Sequence, residues 1–356
     1  MTERSPGNRP LPASRTIAPV IRLAPAKLNL TLAVGPRRPD GFHDLHSVMV
    51  PLVLADRLAV GPALGSKDSL HVSGDDSSPR PDDLVLRGFE AARVAARRAT
   101  GPSADLFPLA ARLEKHIPVA AGLAGGSSDA AAAIDGALQA WGIELPHEEL
   151  IAAAASVGSD VPFFFADGPA LVEGRGDRVT RLAAPLGNPI GVLLVTAGLG
   201  VSTTAAFRRF DEGGEATPAD QRSTHLTSEH LAHELRTGLR ATDLVARAGV
   251  LTTANDLVNA TALLVPELRT FRRALARRLG RAVGQSGSGP TLWALYPSLS
   301  TAEAAARDLG AGLGDGSLAA PGRSAPRIHA TTIAGPTADA AATTIADEAA
   351  DRRTQP

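Results

Sequence analysis

Five short segments bring together residue types whose spacing suits chemistry. The most distinctive runs Ile117-Pro118-Val119-Ala120-Ala121-Gly122-Leu123-Ala124-Gly125-Gly126-Ser127-Ser128-Asp129. Its glycines remove side chains where a backbone must approach a ligand closely. Ser127 and Ser128 stand at the start of an Ala-rich helical stretch. Free N–H groups and the positive end of such a helix favour an anion, so Pro118 to Ser128 read as a phosphate cradle. An ordinary glycine turn with a serine cap explains the same letters. No Gly-Lys-Ser/Thr follows and the dinucleotide spacing is absent, so neither a Walker loop nor a Rossmann fingerprint is present. The protein-kinase motif set is missing too.

Lys27 lies in Ala24-Pro25-Ala26-Lys27-Leu28-Asn29, an apolar strand in which a charge is costly without a partner. Asp160, in Gly158-Ser159-Asp160-Val161-Pro162-Phe163, is a carboxylate just ahead of an apolar run, and Lys27 is a cation able to pair with it. Alone, each has a plain reading as a solvent-facing strand lysine and a turn aspartate. Ser286-Gly287-Ser288-Gly289 is a second loop of small residues, able to approach a ligand or simply to lead into a strand. Pro39-Asp40-Gly41-Phe42-His43 sets an aromatic that can stack on a base beside a histidine that can read its edge, with a surface loop as the alternative. His43 and His46, and His230 and His233 beside Glu229, have metal-like spacing but no further ligand nearby in the sequence. They read as solvated loop and helix faces. A magnesium ion carried in with a nucleotide needs few protein ligands.

These residues need a scaffold, and the chain is long enough to supply it. Its 356 residues suit one large or two ordinary domains, and 44% hydrophobic content is that of a globular chain. The 36 basic residues nearly balance the 37 acidic ones, which disfavours nucleic acid or an anionic membrane as partner. The absence of cysteine excludes disulfides and thiolate chemistry and suits a reducing compartment. Two uncharged stretches, 182–207 and 282–302, are broken by glycine or proline and read as strands and loops rather than membrane spans. The arginine- and proline-containing start has no apolar run, so the expected location is cytoplasmic.

Residues 1–19 and 336–356 read as a disordered arm and tail. Between them, strands are expected at 20–23, 28–34, 48–54, 57–60, 106–115, 190–196 and 292–296. Helices are expected at 82–98, 129–141, from Pro146 to Gly158, across 225–249, at 266–279 and at 302–308. Residues 211–224 read as a surface insertion. The mixture lacks a strict βαβ rhythm and points to an α+β chain with two domains, 20–180 and 181–335.

Taken in order, these motifs resemble the GHMP kinase superfamily, which includes galactokinase, homoserine kinase and mevalonate kinase. The resemblance spans about residues 20–335. It implies a two-domain α+β fold, with ATP and Mg2+ bound in the interdomain cleft and a small-molecule substrate phosphorylated there. Pro-Asp-Gly-Phe-His and Ala-Lys-Leu-Asn are similar to the branch acting on the 2-hydroxyl of a cytidine-diphosphate-linked methylerythritol, in the non-mevalonate route to isoprenoid precursors. By that resemblance Lys27 and Asp160 form the catalytic pair, and Pro118, Val119, Ala120, Ala121, Gly122, Leu123, Ala124, Gly125, Gly126, Ser127 and Ser128 hold ATP. Asn29, Phe42, His43, Phe207, Ser286 and Gly287 face the substrate. A kinase for homoserine, mevalonate or a sugar and a non-catalytic nucleotide-binding regulator are the alternatives; the Phe42–His43 segment and the Lys27–Asp160 pair weigh against them. Ala120, Ala121 and Ala124 depart from the family's frequent glycines and are compatible with the loop if their φ angles stay negative. Asp129 replaces a common asparagine and is expected to point away from the phosphates or toward magnesium.

Overall fold

A computed structural model describes residues 18–74, 83–213, 218–322 and 324–335. The expected arm lies almost wholly outside these residues, and the expected tail entirely so. Among the described residues, seven strands make the first sheet: β1 (Val20–Asn29), β2 (Ala33–Arg37), β3 (His43–Pro62), β4 (Ser69–Gly74), β5 (Leu109–Lys115), β6 (Ala170–Gly174) and β7 (Arg178–Arg181). β3 is its spine, with β2 and β6 along its first half and β1 and β5 along its second. β4 lies parallel to β5, and the other pairings are antiparallel.

β3 crosses Ala55 and Asp56 without a break, where two separate strands were expected. The buried Asp56 accounts for this, because its carboxylate is satisfied within the fold by His116 N, Ile117 N and Lys115. β1 is likewise continuous through Pro25, and its pairing with β3 shifts register between Pro25 and Lys27. Such a bulge re-aims the residue beyond it, and here that residue is Lys27.

Three helices cover one face of this sheet: α1 (Leu84–Thr100), α2 (Gly125–Trp141) and α3 (His147–Val157). Asp83 caps α1 by accepting from Val85 N. Small residues let α2 lie close to its neighbours. A Cβ on Gly88 of α1 would stand 2.8 Å from the Ala130 carbonyl oxygen, and one on Gly136 would stand 3.0 Å from Val60.

The second sheet is antiparallel, in the order β11 (Arg327–Thr332), β8 (Gly191–Thr196), β10 (Thr291–Tyr296) and β9 (Gly284–Gln285). Its helices are α4 (Thr203–Asp211), α5 (Pro218–Thr237), α6 (Ala241–Ala246), α7 (Ala248–Leu251), α8 (Leu257–Leu264), α9 (Pro266–Leu279) and α10 (Leu299–Gly314). The stretch expected as an insertion at 211–224 is therefore, where described, the end of α4 and the start of α5. One apolar cluster joins the two sheets: Leu28, Val50 and Leu52 pack with Ile190, Leu194, Trp293 and Ile333. Backbone bonds from Ile333 N to the Ile190 oxygen and from Ala334 N to the Pro51 oxygen close the same seam. No helix among the described residues is long and apolar enough to cross a membrane.

Candidate active site

Where the two sheets meet, the chain encloses a cavity of about 1110 Å³. That exceeds the roughly 300–1,000 Å³ of a single small-molecule site and leaves room for two ligands. Most of the residues singled out from the sequence line it: Lys27, Asn29, Phe42, His43, the loop from Pro118 to Gly122, Ala124 to Ser127, Asp160, Phe207 and Gly287. Leu123, Ser128 and Ser286 do not. Leu123 is core, and Ser286 is fully buried as a tie between elements, its hydroxyl donating to the Gly122 oxygen at 3.0 Å.

The phosphate-loop candidate is held from both sides. Lys27 N donates to the Leu123 oxygen at 3.0 Å, and Thr291 N donates to the Ala121 oxygen at 3.3 Å. Gly122 has a φ of 76°, and a Cβ there would stand 2.6 Å from the Ser286 oxygen and 2.8 Å from the Gly289 oxygen. Glycine is required at this point because two loop backbones touch. The alanines behave differently from expectation. Ala120 and Ala124 both adopt positive φ, 54° each, so the loop keeps a glycine-like path despite its methyl groups.

α2 begins at Gly125, four residues earlier than expected, and Ala124 at its cap position makes no side-chain hydrogen bond. The first-turn N–H groups, including those of Gly125, Gly126 and Ser127, lack intrahelical partners and face the cavity end of the helix. Ser127 and Ser128 thus sit inside the first turn instead of capping it.

At the chemical centre, Lys27 is buried and its Nζ donates to Asn29 Oδ1 at 2.5 Å. Asn29 in turn donates from Nδ2 to Ser47 Oγ at 2.9 Å, and Ser47 donates to the Thr31 oxygen at 2.6 Å. Asp160 Oδ2 stands 4.0 Å from Lys27 Nζ and is the more exposed partner. Burial pushes the Lys27 ammonium below its ordinary pKa, and the Asp160 charge opposes that shift. The result is an oriented cation beside a carboxylate with free acceptor capacity. That is what a hydroxyl needs if it is to lose a proton while an anion is steadied.

Toward the other end, Phe207 of α4 stacks on the His43 ring with centroids 5.3 Å apart and planes 30° apart. His43 Nδ1 meets the Gly35 oxygen at 2.9 Å, and Nε2 stands 3.2 Å from Asp211 Oδ1. Phe42 is half-exposed, with the Arg175 guanidinium 4.5 Å above its ring. Asp211 and Arg175 had no signal in the sequence.

A second charged group underlies α2. Lys115 Nζ donates to Asp129 Oδ2 at 2.6 Å and also pairs with Asp56. Burial raises the Asp129 pKa to about 7, with Lys115 opposing and Asp56 reinforcing the shift. Asp129 Oδ1 and Ser128 Oγ are buried and without hydrogen-bond partners. Two hard oxygen atoms of this kind at the first turn of α2 fit magnesium's preferences. Lys115, directly ahead of the loop, was a detectable signal that spacing alone did not flag.

The fold and this site define a GHMP kinase. The family models for the GHMP kinases N terminal domain and the GHMP kinases C terminal match residues 84–168 and 235–315. The chain belongs to the 4-diphosphocytidyl-2-C-methyl-D-erythritol kinase family within that class. It is 37% identical over 284 residues to such a kinase from Pelotomaculum thermopropionicum, covering 80% of this chain and 91% of the relative. It is 38% identical over 300 residues to one from Nocardia farcinica, covering 83% and 91%. A solved 4-(cytidine 5'-diphospho)-2C-methyl-D-erythritol kinase superposes with a TM-score of 0.62 at 31% identity, covering 89% of this chain and all of the other. A homoserine kinase from Cytophaga hutchinsonii reaches a TM-score of 0.66 over 92% of this chain and 99% of its own, but at 15% identity it shares the fold alone.

Proposed function

We propose that the chain transfers the γ-phosphate of ATP to the 2-hydroxyl of 4-diphosphocytidyl-2-C-methyl-D-erythritol. The observation carrying this reading is the gathering of these parts in one cavity: residues 118–122 and 124–127 of the loop, Lys27 and Asp160, and Phe42, His43 and Phe207. Asp160 takes the proton of the attacking hydroxyl. Lys27, fixed by Asn29, faces that carboxylate and steadies the oxygen being phosphorylated. Phosphoryl transfer asks chiefly for in-line positioning and charge neutralisation, so few side chains suffice. The N–H groups at the start of α2 bind phosphate oxygens. Magnesium, when bound with the nucleotide, would be held by Ser128 and Asp129 and would supply neutralising charge.

The aromatic end takes the cytosine. Phe42 and Phe207 offer flat faces, and His43 Nε2 exchanges Asp211 for the edge of the base. The N-terminal domain is 20–180 and the C-terminal domain 181–335, with the reaction between them and in the cytoplasm. Coupled ADP release tests the reading, with 4-diphosphocytidyl-2-C-methyl-D-erythritol offered beside homoserine, mevalonate and galactose. Turnover with the cytidine diphosphate substrate alone is expected. Turnover with one of the other three would keep the Lys27–Asp160 chemistry and overturn the substrate.

A further inference from the structure

Three residues beyond His43 on β3, a second group of ligating side chains is assembled across the fold. His46 is buried and lies opposite Ala33 of β2 and Glu173 of β6. The odd separation from His43 turns the two histidines to opposite faces of the strand, so their spacing in the sequence never described one site. The partners of His46 come from α5 instead. The His225 ring lies 4.4 Å from the His46 ring, and Glu229 Oε1, one helical turn on, stands 3.3 Å from His225 Nε2. A ring nitrogen from each histidine and a Glu229 carboxylate oxygen all lie within 4.8 Å of one another.

Ser228 orients the His46 ring. Its hydroxyl accepts from Thr31 Oγ1 at 2.8 Å and lies 2.9 Å from His46 Nδ1 and 3.3 Å from the His46 carbonyl oxygen. An outer contact of this kind at Nδ1 holds the ring as in metal-binding histidines, and Nε2 lies outside it.

We infer that His46, His225 and Glu229 form a binding site for a zinc-like divalent cation, with a fourth position open to water. Two imidazoles and one carboxylate are a borderline donor set that suits Zn2+, whereas magnesium prefers oxygen ligands throughout. Exposed His225 and Glu229 can close the remaining distance by side-chain rotation. Glu173, beside His46 on the neighbouring strand, favours a cation there, and Arg236 further along α5 opposes it. An ion so placed ties α5 to the first sheet and stabilises the folded chain by binding it selectively.

The test is calorimetric titration of untagged, chelator-treated full chain with zinc chloride, followed by thermal melts and by the visible absorption of the cobalt form. One saturable equivalent and a higher Tm are expected. His225→Gln and Glu229→Gln, both at exposed positions, should each weaken zinc by about 10-fold or more and remove the Tm rise. Magnesium-dependent turnover without zinc should match the parent chain in both variants. The site is overturned by the lack of saturable binding, or by titrations of both variants that match the parent's.

Discussion

Burial and a neighbouring carboxylate act on Lys27 in opposite directions, and burial wins. A lysine whose folded pKa is lowered loses its proton at a pH where an ordinary lysine is still charged. The alkaline limb of kcat should therefore fall below pH 10.5, lysine's ordinary value. Asp160→Asn removes the charge that raises the Lys27 pKa, so its residual activity should show that limb displaced further down. The same variant should lower kcat by about 10²-fold or more, the scale of losing a general base; near-normal turnover removes Asp160 from the mechanism. Asp129 makes the opposite case. Its pKa is raised to about 7, so between the ordinary carboxylate range and pH 7 the folded chain holds a proton that the unfolded chain has released. Stability from this group is thus present at low pH and lost as pH climbs to 7. Urea melts at pH 5 and pH 8 should show a smaller loss for Asp129→Asn, by on the order of 1–3 kcal/mol; an identical loss would place the pH dependence elsewhere. Lys27 and Asp160 were legible through the order of the motifs, since alone each also reads as a solvent-facing strand lysine and a turn aspartate. Arg175 and Asp211 were not, since each reaches the cavity only through a strand end or a helix end, and Asp56 was not, since its partners at 115–117 come to it only through the pairing of β3 with β5.

Among the elements, the loop from Pro118 to Ala124 was readable from its glycines, yet its path was not. Whether alanine takes positive φ depends on clamping by the 286–291 loop, which is distant in sequence. Ala120 and Ala124 pay for left-handed backbone that glycine adopts freely. Ala120→Gly and Ala124→Gly should each stabilise the chain by about 0.5–1 kcal/mol after the entropy of the unfolded glycine is counted, and a fall in Tm for both would contradict the strain. Gly122→Ala is the reverse experiment. Its Cβ meets two backbone oxygens that cannot rotate away, so a loss of about 1–3 kcal/mol and a raised KM for ATP are expected. Helices with clear stops ended where the sequence reading put them, α2 before Gly142 and α9 before Gly280. β4, β6, β7 and β11 escaped it because their burial alternates weakly or lies at sheet edges, where pairing rather than composition makes the strand.

At the scale of the molecule, two sheets with separate helices share one apolar seam, and this decides how the cavity is kept. Leu28, Val50 and Leu52 from the first sheet share one buried cluster with Ile190, Leu194, Trp293 and Ile333 from the second half. Opening the seam would expose both sets at once and would also part Ser286 from the Gly122 oxygen it anchors. The two halves should therefore unfold together. Calorimetry should give a single transition, and Leu194→Ala on β8 should lower it by about 2–5 kcal/mol. In that variant, hydrogen exchange in β1 and β3 should rise in step with exchange in β8 and β10. Two resolved transitions, or protection of the first sheet left unchanged by Leu194→Ala, would show that each half stands alone and that the cavity is held only by its ligands.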